Sequence, residues 1–206
     1  MKEVLIIDQI GGNTGSLAKT FKRLKINVKY SSDSTDILHA DHIVIPGVGH
    51  FANAMQRISD LNLIEPLQEA VIFKKIPVLG ICLGMQLICR YSEEGNANGL
   101  GWIDAEVKHF NFNDTLNYKR PHIGWNTLNF LQKNHPFLKG IETTEYFYFV
   151  HSYFVHCHNP ENCLAETEYE QRFASVIQKD NIFGVQFHPE KSYEAGDKLL
   201  MNFVNI

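Results

Sequence analysis

The sequence predicts an α/β protein with a mostly parallel central sheet flanked by helices and with additional antiparallel strands. Two patterns support this fold class. In the first half, short apolar runs that end in glycine-rich turns alternate with segments of helical spacing. Nearly all-apolar strands between helices are typical of a parallel sheet covered on both faces. From residue 104 to 172, dense or alternating aromatic residues and turn residues instead predict antiparallel strands.

Strands and helices alternate through the first half of the chain. Short apolar runs predict the strands, and apolar residues three or four apart, such as Leu17, Phe21 and Leu24, predict the helices. The predicted strands are 4–8, 42–46 and 76–82, and the predicted helices are 16–25, 63–75 and 85–91.

The second half adds the predicted antiparallel strands and then returns to the parallel sheet. The run EYFYFVHSYFVHC (145–157) predicts antiparallel strands, IFGVQFH (182–188) predicts another buried strand, and residues 194–206 predict a helix. The sequence shows no internal repeat, low-complexity segment or linker. We therefore expect one domain over residues 1–206.

Composition and charge give no sign of a nucleic-acid partner, a membrane or a disulfide. The net charge of −4 gives no electrostatic footprint for nucleic acid or for an anionic membrane. Only a short apolar run precedes Asp8, too short for a signal peptide or a membrane span, so we expect a cytoplasmic protein. The four cysteines contain no Cys-x-x-Cys pair and are interpreted as free thiols. We expect neither a metal nor a cofactor.

One cysteine, Cys82, ends a predicted strand between two glycines in GICLG, and a helical segment follows. This strand–turn–helix order is that of a nucleophile elbow. Gly80 is expected to let the strand and the helix pack closely, and Gly84 to keep the approach to the sulfur open. A buried structural cysteine is the alternative, and local spacing alone does not decide between the two.

A possible base and its orienting partner follow another predicted strand, in GVQFHPEKS (184–192). His188 ends the strand, and Glu190 lies two residues further, on the same side of an extended chain. Cys82 and His188 would then lie at the carboxyl ends of parallel strands, where ligands bind in open α/β sheets. Cys82, His188 and Glu190 therefore form a candidate catalytic triad.

These motifs and four others occur in a fixed order over nearly the whole chain. They resemble the class I glutamine amidotransferase family and, within it, the glutaminase subunits of imidazole glycerol phosphate synthase. The matching blocks are PGVG-x-F-x-x-AM (46–55), GICLGMQL (80–87), SEEG (92–95), PHIGWN (121–126), YFVHSY (148–153) and FGVQFHPEKS (183–192).

The resemblance implies a flavodoxin-like sheet and the hydrolysis of glutamine to glutamate and ammonia through a cysteine thioester. The nucleophile would be Cys82, with His188 handling the proton and Glu190 holding the imidazole. The oxyanion hole would combine the Leu83 N–H with the loop that contains Val48 and Gly49.

Substrate contacts are also implied by the resemblance. They would come from Gln86, Glu94 and the segment His151, Ser152 and Tyr153. Glu94 could instead be a solvated acid, with Glu93 beside it, and Ser152 and Tyr153 could be ordinary strand residues.

A glutaminase of this family supplies ammonia to a separate synthase. The resemblance implies a (β/α)8-barrel cyclase as the other half of a heterodimer, working in histidine biosynthesis. Its docking face would lie near Trp125, with the loop of Gly11, Gly12 and Asn13 close by. A tryptophan buried in the core is the alternative for Trp125.

Two segments depart from the histidine-pathway pattern: DQIGGNT (8–14) and GLGWIDAEVKHF (99–110). They are more similar to paralogues that supply ammonia to a sugar amidotransferase in surface-polysaccharide or glycan biosynthesis. This pathway stays open as the alternative. The segment GGNTGS could be a nucleotide-binding loop, but it lacks the lysine of a P-loop. A cysteine peptidase is another alternative, and Gln86 together with the HPE motif argues against it.

Overall fold

A computed structural model of the chain describes residues 2–11, 14–114 and 116–206. The strands in this part of the chain are β1 (Glu3–Ile7), β2 (Asn27–Ser31), β3 (His42–Gly47), β4 (Val78–Cys82), β5 (Tyr91–Ser92), β6 (Ala97–Asn98), β7 (Ala105–His109), β8 (His122–Thr127), β9 (Asn129–Phe130), β10 (Tyr146–His151), β11 (Tyr153–Cys157), β12 (Cys163–Tyr169), β13 (Gln171–Lys179) and β14 (Ile182–Val185). The α-helices are α1 (Thr14–Arg23), α2 (Ser34–Leu38), α3 (Phe51–Asp60), α4 (Ile64–Gln68), α5 (Leu83–Leu87) and α6 (Tyr193–Val204).

The main sheet begins with five parallel strands in the order β2-β1-β3-β4-β14. This is the 2-1-3-4-5 order of flavodoxin-like folds. The sheet continues through β13, β11, β7, β5 and β6, and most of these added pairs are antiparallel. The predicted fold class, a mostly parallel sheet with antiparallel additions, is confirmed.

Alternate residues of the parallel strands face two separate apolar layers, as in β1, where Val4 and Ile6 face one layer and Leu5 and Ile7 the other. Helices α1 and α6 pack on the first layer, and α2 to α5 pack on the second. Burial on both faces explains why these strands read as unbroken apolar runs.

The aromatic run 145–157 does not form a single antiparallel unit of the main sheet. Its first part, β10, pairs with β8 in a separate two-stranded ribbon, while its second part, β11, joins the main sheet. The chain changes sheets at Ser152, between the two strands. The ribbon of β8 and β10 forms one side of the region above the ends of the parallel strands.

Several predicted helix bounds were wrong. The predicted helix 63–75 is α4 followed by a π-helical turn at Glu69–Phe73. The predicted helix 85–91 ends at Leu87, because the Arg90 N–H bonds to the Ala105 carbonyl and draws the chain into the sheet edge. Among the described helices, none is long and apolar enough to span a membrane.

Gly84 has a different role from the one expected. An added Cβ would lie 1.8 Å from the Ile45 carbonyl oxygen, so Gly84 permits α5 to pack against β3. Gly80 does have its expected role, because an added Cβ there would lie 2.5 Å from the Gly84 oxygen. Both glycines therefore bring the start of α5 close to the sheet.

We predict that Gly84→Ala destabilises the fold by about 3 kcal/mol or more, because the new methyl group collides with backbone that cannot move freely. Urea unfolding followed by circular dichroism measures the change. Gly15→Ala is the matched control: it lies in α1 with no atom within 4 Å of an added Cβ. It should leave stability unchanged or raise it by up to about 1 kcal/mol. Equal stability of both variants would contradict the packing role of Gly84.

Candidate active site

Cys82 stands at the carboxyl end of β4 in a strained conformation. Its φ of 54° and ψ of −108° place it in a region that side-chain-bearing residues rarely occupy, and α5 begins at the next residue. The side chain is 7% exposed. A sharp strand-to-helix turn of this kind presents the side chain above the sheet edge, as a nucleophile elbow does.

His188 and Glu190 form a buried pair. His188 Nδ1 lies 2.9 Å from Glu190 Oε1, and each side chain is 2% exposed. The extended-chain geometry expected between them was wrong: Pro189–Lys191 form a 3-10 turn that brings the carboxylate back to the ring.

The turn that carries Glu190 is anchored on both sides. The His188 N–H donates to the Tyr148 carbonyl on β10, and the Ser192 hydroxyl donates to the His188 carbonyl. Helix α6 also packs directly on it, because an added Cβ on Gly196 would lie 1.9 Å from the Pro189 oxygen. The imidazole and the carboxylate therefore have fixed positions.

The pairing of β4 with β14 brings this turn to the cysteine. The two strands are parallel neighbours, with Val185 opposite Ile81, so Cys82 and the residues after Val185 emerge at the same sheet edge. Within the described chain, His188 Nε2 is buried without a hydrogen bond of normal geometry. This nitrogen is free to exchange a proton with the sulfur or with a bound ligand.

The charge of His188 is set by opposing effects. Burial acts to lower its pKa, but the interactions with Cys82 and Glu190 outweigh burial and raise the pKa from 6.5 to about 9. The imidazole therefore carries its proton at neutral pH. By contrast, burial alone raises the pKa of the Cys89 thiol, which keeps that cysteine protonated and inert.

A cavity of about 260 Å³ opens beside the Cys82 sulfur. Its volume is near the lower end for ligand pockets, which start at roughly 300 Å³, and it suits a ligand of amino-acid size. Nine of the residues selected from the sequence line it: Val48, Gly49, Cys82, Leu83, Gln86, Glu94, His151, Ser152 and Tyr153. Pro121 and Val150 complete the lining.

Gln86 and Glu94 have defined partners in this cavity. The Gln86 amide nitrogen donates to the Tyr153 carbonyl at 3.1 Å. Glu94 accepts the N–H of Phe51, the first residue of α3, at 2.7 Å. Glu93 instead turns toward the His109 N–H, so the cavity-facing acid of the SEEG block is Glu94.

His151 reaches the cavity wall as a neutral ring. Its Nδ1 lies 2.8 Å from the Tyr153 carbonyl, and its Nε2 lies 3.1 Å from Nδ1 of His122. Burial lowers the pKa of His151 to about 3 and that of His122 to about 4. The segment next to the cavity is therefore uncharged, with Ser152 at the sheet-to-ribbon crossover and Tyr153 at the start of β11.

The PGVG loop also lines the cavity, through Val48 and Gly49. Gly49 has a φ of 114°, a conformation that favours glycine, and the Val48 side chain is 41% exposed. Gly11 packs against this loop, because an added Cβ would lie 3.0 Å from both the nitrogen and the oxygen of Val48. The expected interface position Asn13, and Gly12 beside it, lie outside the described residues.

Trp125 is not a core residue. It is 44% exposed on β8, and its ring stacks on Tyr193 with centroids 5.3 Å apart and parallel planes. Tyr148, its partner across the ribbon, packs edge-on at 5.7 Å. A groove of about 710 Å³ runs between Trp125, Tyr146 and Tyr193. The aromatic patch of these three residues and Ile123 is exposed to solvent.

Sequence reasoning missed three groups of the site. The Gln186 side chain and the Val150 carbonyl lie next to the Cys82 sulfur, and His122 contacts His151. Gln186 is a single amide in an otherwise apolar buried strand, and a buried amide needs hydrogen-bond partners, so the sequence did contain a signal for it. The Val150 carbonyl belongs to the backbone and has no such signal.

The flavodoxin-like sheet, the strained Cys82 and the buried His188–Glu190 pair have the arrangement expected of an enzyme with a cysteine nucleophile. The model of the family "glutamine amidotransferase class-I" matches residues 5–206. The chain belongs to the class I glutamine amidotransferase family.

Curated relatives match over almost their full lengths. Imidazole glycerol phosphate synthase subunit HisH 2 of Methanococcus maripaludis is 43% identical, with 98% of each chain covered. Subunit HisH 1 of Campylobacter jejuni is also 43% identical, covering 98% of this chain and all of that one. Subunit HisH 2 of Pseudomonas aeruginosa is 41% identical, covering 98% and 99%.

A solved structure described as a glutamine amidotransferase superposes with a TM-score of 0.77 at 15% identity, over 98% of this chain and 97% of that one. At this identity the likeness shows the shared fold alone.

The raised pKa of His188 predicts a pH-dependent stability. Because the folded-state pKa of about 9 exceeds the unfolded value, the stabilisation is fully present below the unfolded pKa of about 6.5 and is lost as pH rises through 9. Glu190→Gln should therefore cost on the order of 2–4 kcal/mol at about pH 6, and the deficit should shrink by half or more above about pH 9.5. Urea unfolding across this range measures it.

Glu194→Gln is the control for this prediction, since Glu194 is an exposed acid of the same region. Its difference from wild type should stay small at every pH. A Glu190→Gln deficit that is constant from pH 6 to 9.5 would contradict the charged His188–Glu190 pair.

Proposed function

We propose that this chain is the glutaminase subunit of imidazole glycerol phosphate synthase. It would hydrolyse glutamine to glutamate and ammonia and pass the ammonia to a cyclase subunit in histidine biosynthesis. The observation that carries this proposal is the cavity beside Cys82. It is large enough for an amino acid, and it lies next to a cysteine with a strained backbone and near a buried His188–Glu190 pair. The names of the relatives, which are subunits of imidazole glycerol phosphate synthase, support histidine biosynthesis as the pathway that uses the ammonia.

In the first half of the reaction, Cys82 acts as a thiolate whose proton resides on His188, and its sulfur attacks the side-chain carbonyl carbon of glutamine. His188, protonated at neutral pH, gives its proton to the departing amine, and ammonia leaves a thioester behind. The C–S bond forms first and gives a tetrahedral intermediate, and the amide C–N bond breaks when that intermediate collapses. Glu190 keeps the imidazole oriented and stabilises its charge.

In the second half, the now neutral His188 takes a proton from water, and the hydroxide attacks the thioester. The C–S bond breaks, glutamate leaves, and the sulfur and His188 return to their starting states. Both tetrahedral intermediates carry an oxyanion. Leu83, the first residue of α5, offers an N–H without a partner inside the helix. The second donor would be a backbone N–H of the loop that contains Val48 and Gly49, once that N–H turns toward the cavity.

Glutamine would be recognised by its two charged α-groups. The α-ammonium suits the Glu94 carboxylate and the Gln86 carbonyl oxygen, which line the cavity. The α-carboxylate suits the backbone of Ser152 and Tyr153, where the neutral His151 adds no competing charge. All of these residues belong to one glutaminase domain, residues 1–206.

The partner is proposed to be a separate (β/α)8-barrel cyclase in a cytoplasmic heterodimer. Ammonia released into neutral water is protonated and loses its nucleophilicity, so a closed path between subunits preserves its reactivity. The aromatic patch around Trp125 is the proposed docking face, because exposed stacked aromatics suit interface anchors. The reaction uses no cofactor and no metal in this scheme.

A sugar amidotransferase is the second candidate for the enzyme that uses the ammonia. This alternative is based on segments 8–14 and 99–110, which depart from the histidine-pathway pattern. In segment 99–110, the Trp102 carbonyl accepts a hydrogen bond from Lys179, at the end of the parallel strands opposite to Cys82. His109, in the same segment, instead pairs with Tyr153 of the cavity lining. In segment 8–14, Gly11 packs on Val48. Nitrogen transfer from labelled glutamine to each acceptor would decide between the two pathways.

We predict that the isolated chain releases glutamate slowly and that the cyclase with its substrate accelerates release by about 10²-fold or more, the effect of one completed oxyanion donor. The reason is that the PGVG loop must present an N–H to the cavity. Cys82→Ala should reduce the stimulated rate at least about 10³-fold, whereas Cys157→Ala, which removes a thiol outside the cavity, should keep it. Fast glutamine hydrolysis by the isolated chain, or by Cys82→Ala, would contradict this scheme.

We also predict that Trp125→Ala weakens binding to the cyclase at least about tenfold, because it removes the centre of the aromatic patch. Isothermal titration calorimetry measures the affinity. Phe73→Ala is the control, since Phe73 is 69% exposed but lies in the π-helical turn that precedes β4, away from the carboxyl ends of the parallel strands. If both variants bind like wild type, the patch is not the docking face.

A further inference from the structure

The Gln186 side chain connects the sulfur to the substrate wall. It is completely buried. Its Nε2 lies 3.7 Å from Cys82 Sγ, and its Oε1 lies 3.1 Å from Nε2 of Gln86. The Gln186 N–H bonds to the Ser175 carbonyl, which fixes the backbone from which the side chain projects. One buried amide thus contacts both the proposed nucleophile and a proposed substrate residue.

The direction of these hydrogen bonds follows from a backbone carbonyl. The Tyr153 oxygen can only accept, so the Gln86 atom that faces it must be the amide nitrogen. The same nitrogen faces Gln186, and the Gln186 atom that receives it must be the carbonyl oxygen. The remaining end of Gln186, which faces Cys82, must then be its NH₂ group.

The contact suits both charge states of the sulfur. Cys82 Sγ also lies 3.9 Å from the Val150 carbonyl oxygen, a contact that only a thiol can use as donor. When the sulfur becomes a thiolate, that carbonyl repels it, whereas an N–H from Gln186 becomes a charge-assisted donor. The Gln186 NH₂ group therefore offers the sulfur a hydrogen bond on a side other than that of the Val150 carbonyl.

We propose that Gln186 is a positioning residue: its NH₂ group orients the Cys82 sulfur, and its carbonyl oxygen fixes the amide of Gln86. With both Gln86 N–H groups taken by Tyr153 and Gln186, the Gln86 carbonyl oxygen is the end left for the α-ammonium of glutamine. This inference rests on the proposed glutaminase function and adds to it the residue that joins nucleophile and substrate wall.

Two variants separate the two contacts. Gln186→Met keeps the length of the side chain but removes both the donor and the acceptor. Gln186→Glu keeps an acceptor for Gln86 and replaces the donor to sulfur with an oxygen. Gln132→Met is the matched control, because the Gln132 side chain donates to the Glu161 carbonyl and does not line the cavity beside Cys82.

The first readout is the rate of Cys82 alkylation by iodoacetamide between about pH 6 and 9.5, measured by mass spectrometry on the folded chain without glutamine. Loss of a hydrogen bond to a charged group predicts about tenfold slower alkylation at neutral pH in Gln186→Met, and slower still in Gln186→Glu. The other titratable groups near the cavity, His188, Glu190, His151, Tyr153 and Glu94, are unchanged in both variants. Half-exposed Cys157 serves as internal reference and should react as in wild type.

The second readout is steady-state glutamate release with the cyclase present. We expect kcat to fall about tenfold in both variants, and KM to rise only in Gln186→Met, because Gln186→Glu still holds Gln86. Wild-type alkylation profiles in both variants would overturn the inference, as would equal KM values. If wild type shows no glutaminase activity but alkylation still slows in the variants, the proposed function fails and the sulfur contact stands.

Discussion

The contact between Gly84 and the Ile45 carbonyl sets the geometry on which the site depends. It lets α5 start directly against β3, and Gly80 and Gly184 allow the same closeness against Gly84 and Met85. With the helix held there, Cys82 has to bridge strand and helix at a positive φ. Such a conformation costs on the order of 1–3 kcal/mol and persists only when surrounding packing enforces it.

Burial has opposite consequences for the histidines of this site. His188 has a carboxylate on one side and a sulfur on the other, and its pKa rises to about 9. His151 has a carbonyl and a second neutral ring, and its pKa falls to about 3. Environments that shift the pKa values of two similar groups in opposite directions suit those groups to different chemical roles. His188 is therefore positively charged at neutral pH, whereas His151 is neutral and is fixed in the cavity lining by its contacts with Tyr153 and His122.

Much of the fold was predictable because parallel strands buried on both faces leave continuous apolar runs. Edge strand β2 left no such signal, since its residues are half exposed. Helix α3 was not predicted, although Phe51, Ala54 and Ile58 have helical spacing and are buried. The split of the aromatic run into two sheets depends on long-range pairing that local patterns do not encode.

The prediction of the candidate site was limited in a similar way. Side chains next to strand ends could be selected, and the cavity brings them together. The contact of His188 with Glu190 was expected, but the 3-10 turn that makes it was not. The partners of Gln86 and His151 include the Tyr153 carbonyl, and backbone atoms carry no residue-type signal. Sequence therefore shows which side chains meet, but not what orients them.

The ribbon of β8 and β10 has Trp125 at its solvent face and Val150 and His151 at the cavity. Its six residue pairs run in unbroken register, so the ribbon is a stiff link between the two places. A partner that binds Trp125 and moves the ribbon changes the affinity for the ligand in the cavity. Thermodynamic linkage then requires the converse: an occupied cavity alters the affinity for the partner by the same factor. Under the proposed function, an occupied cavity would thus change the affinity for the cyclase subunit before any ammonia has formed.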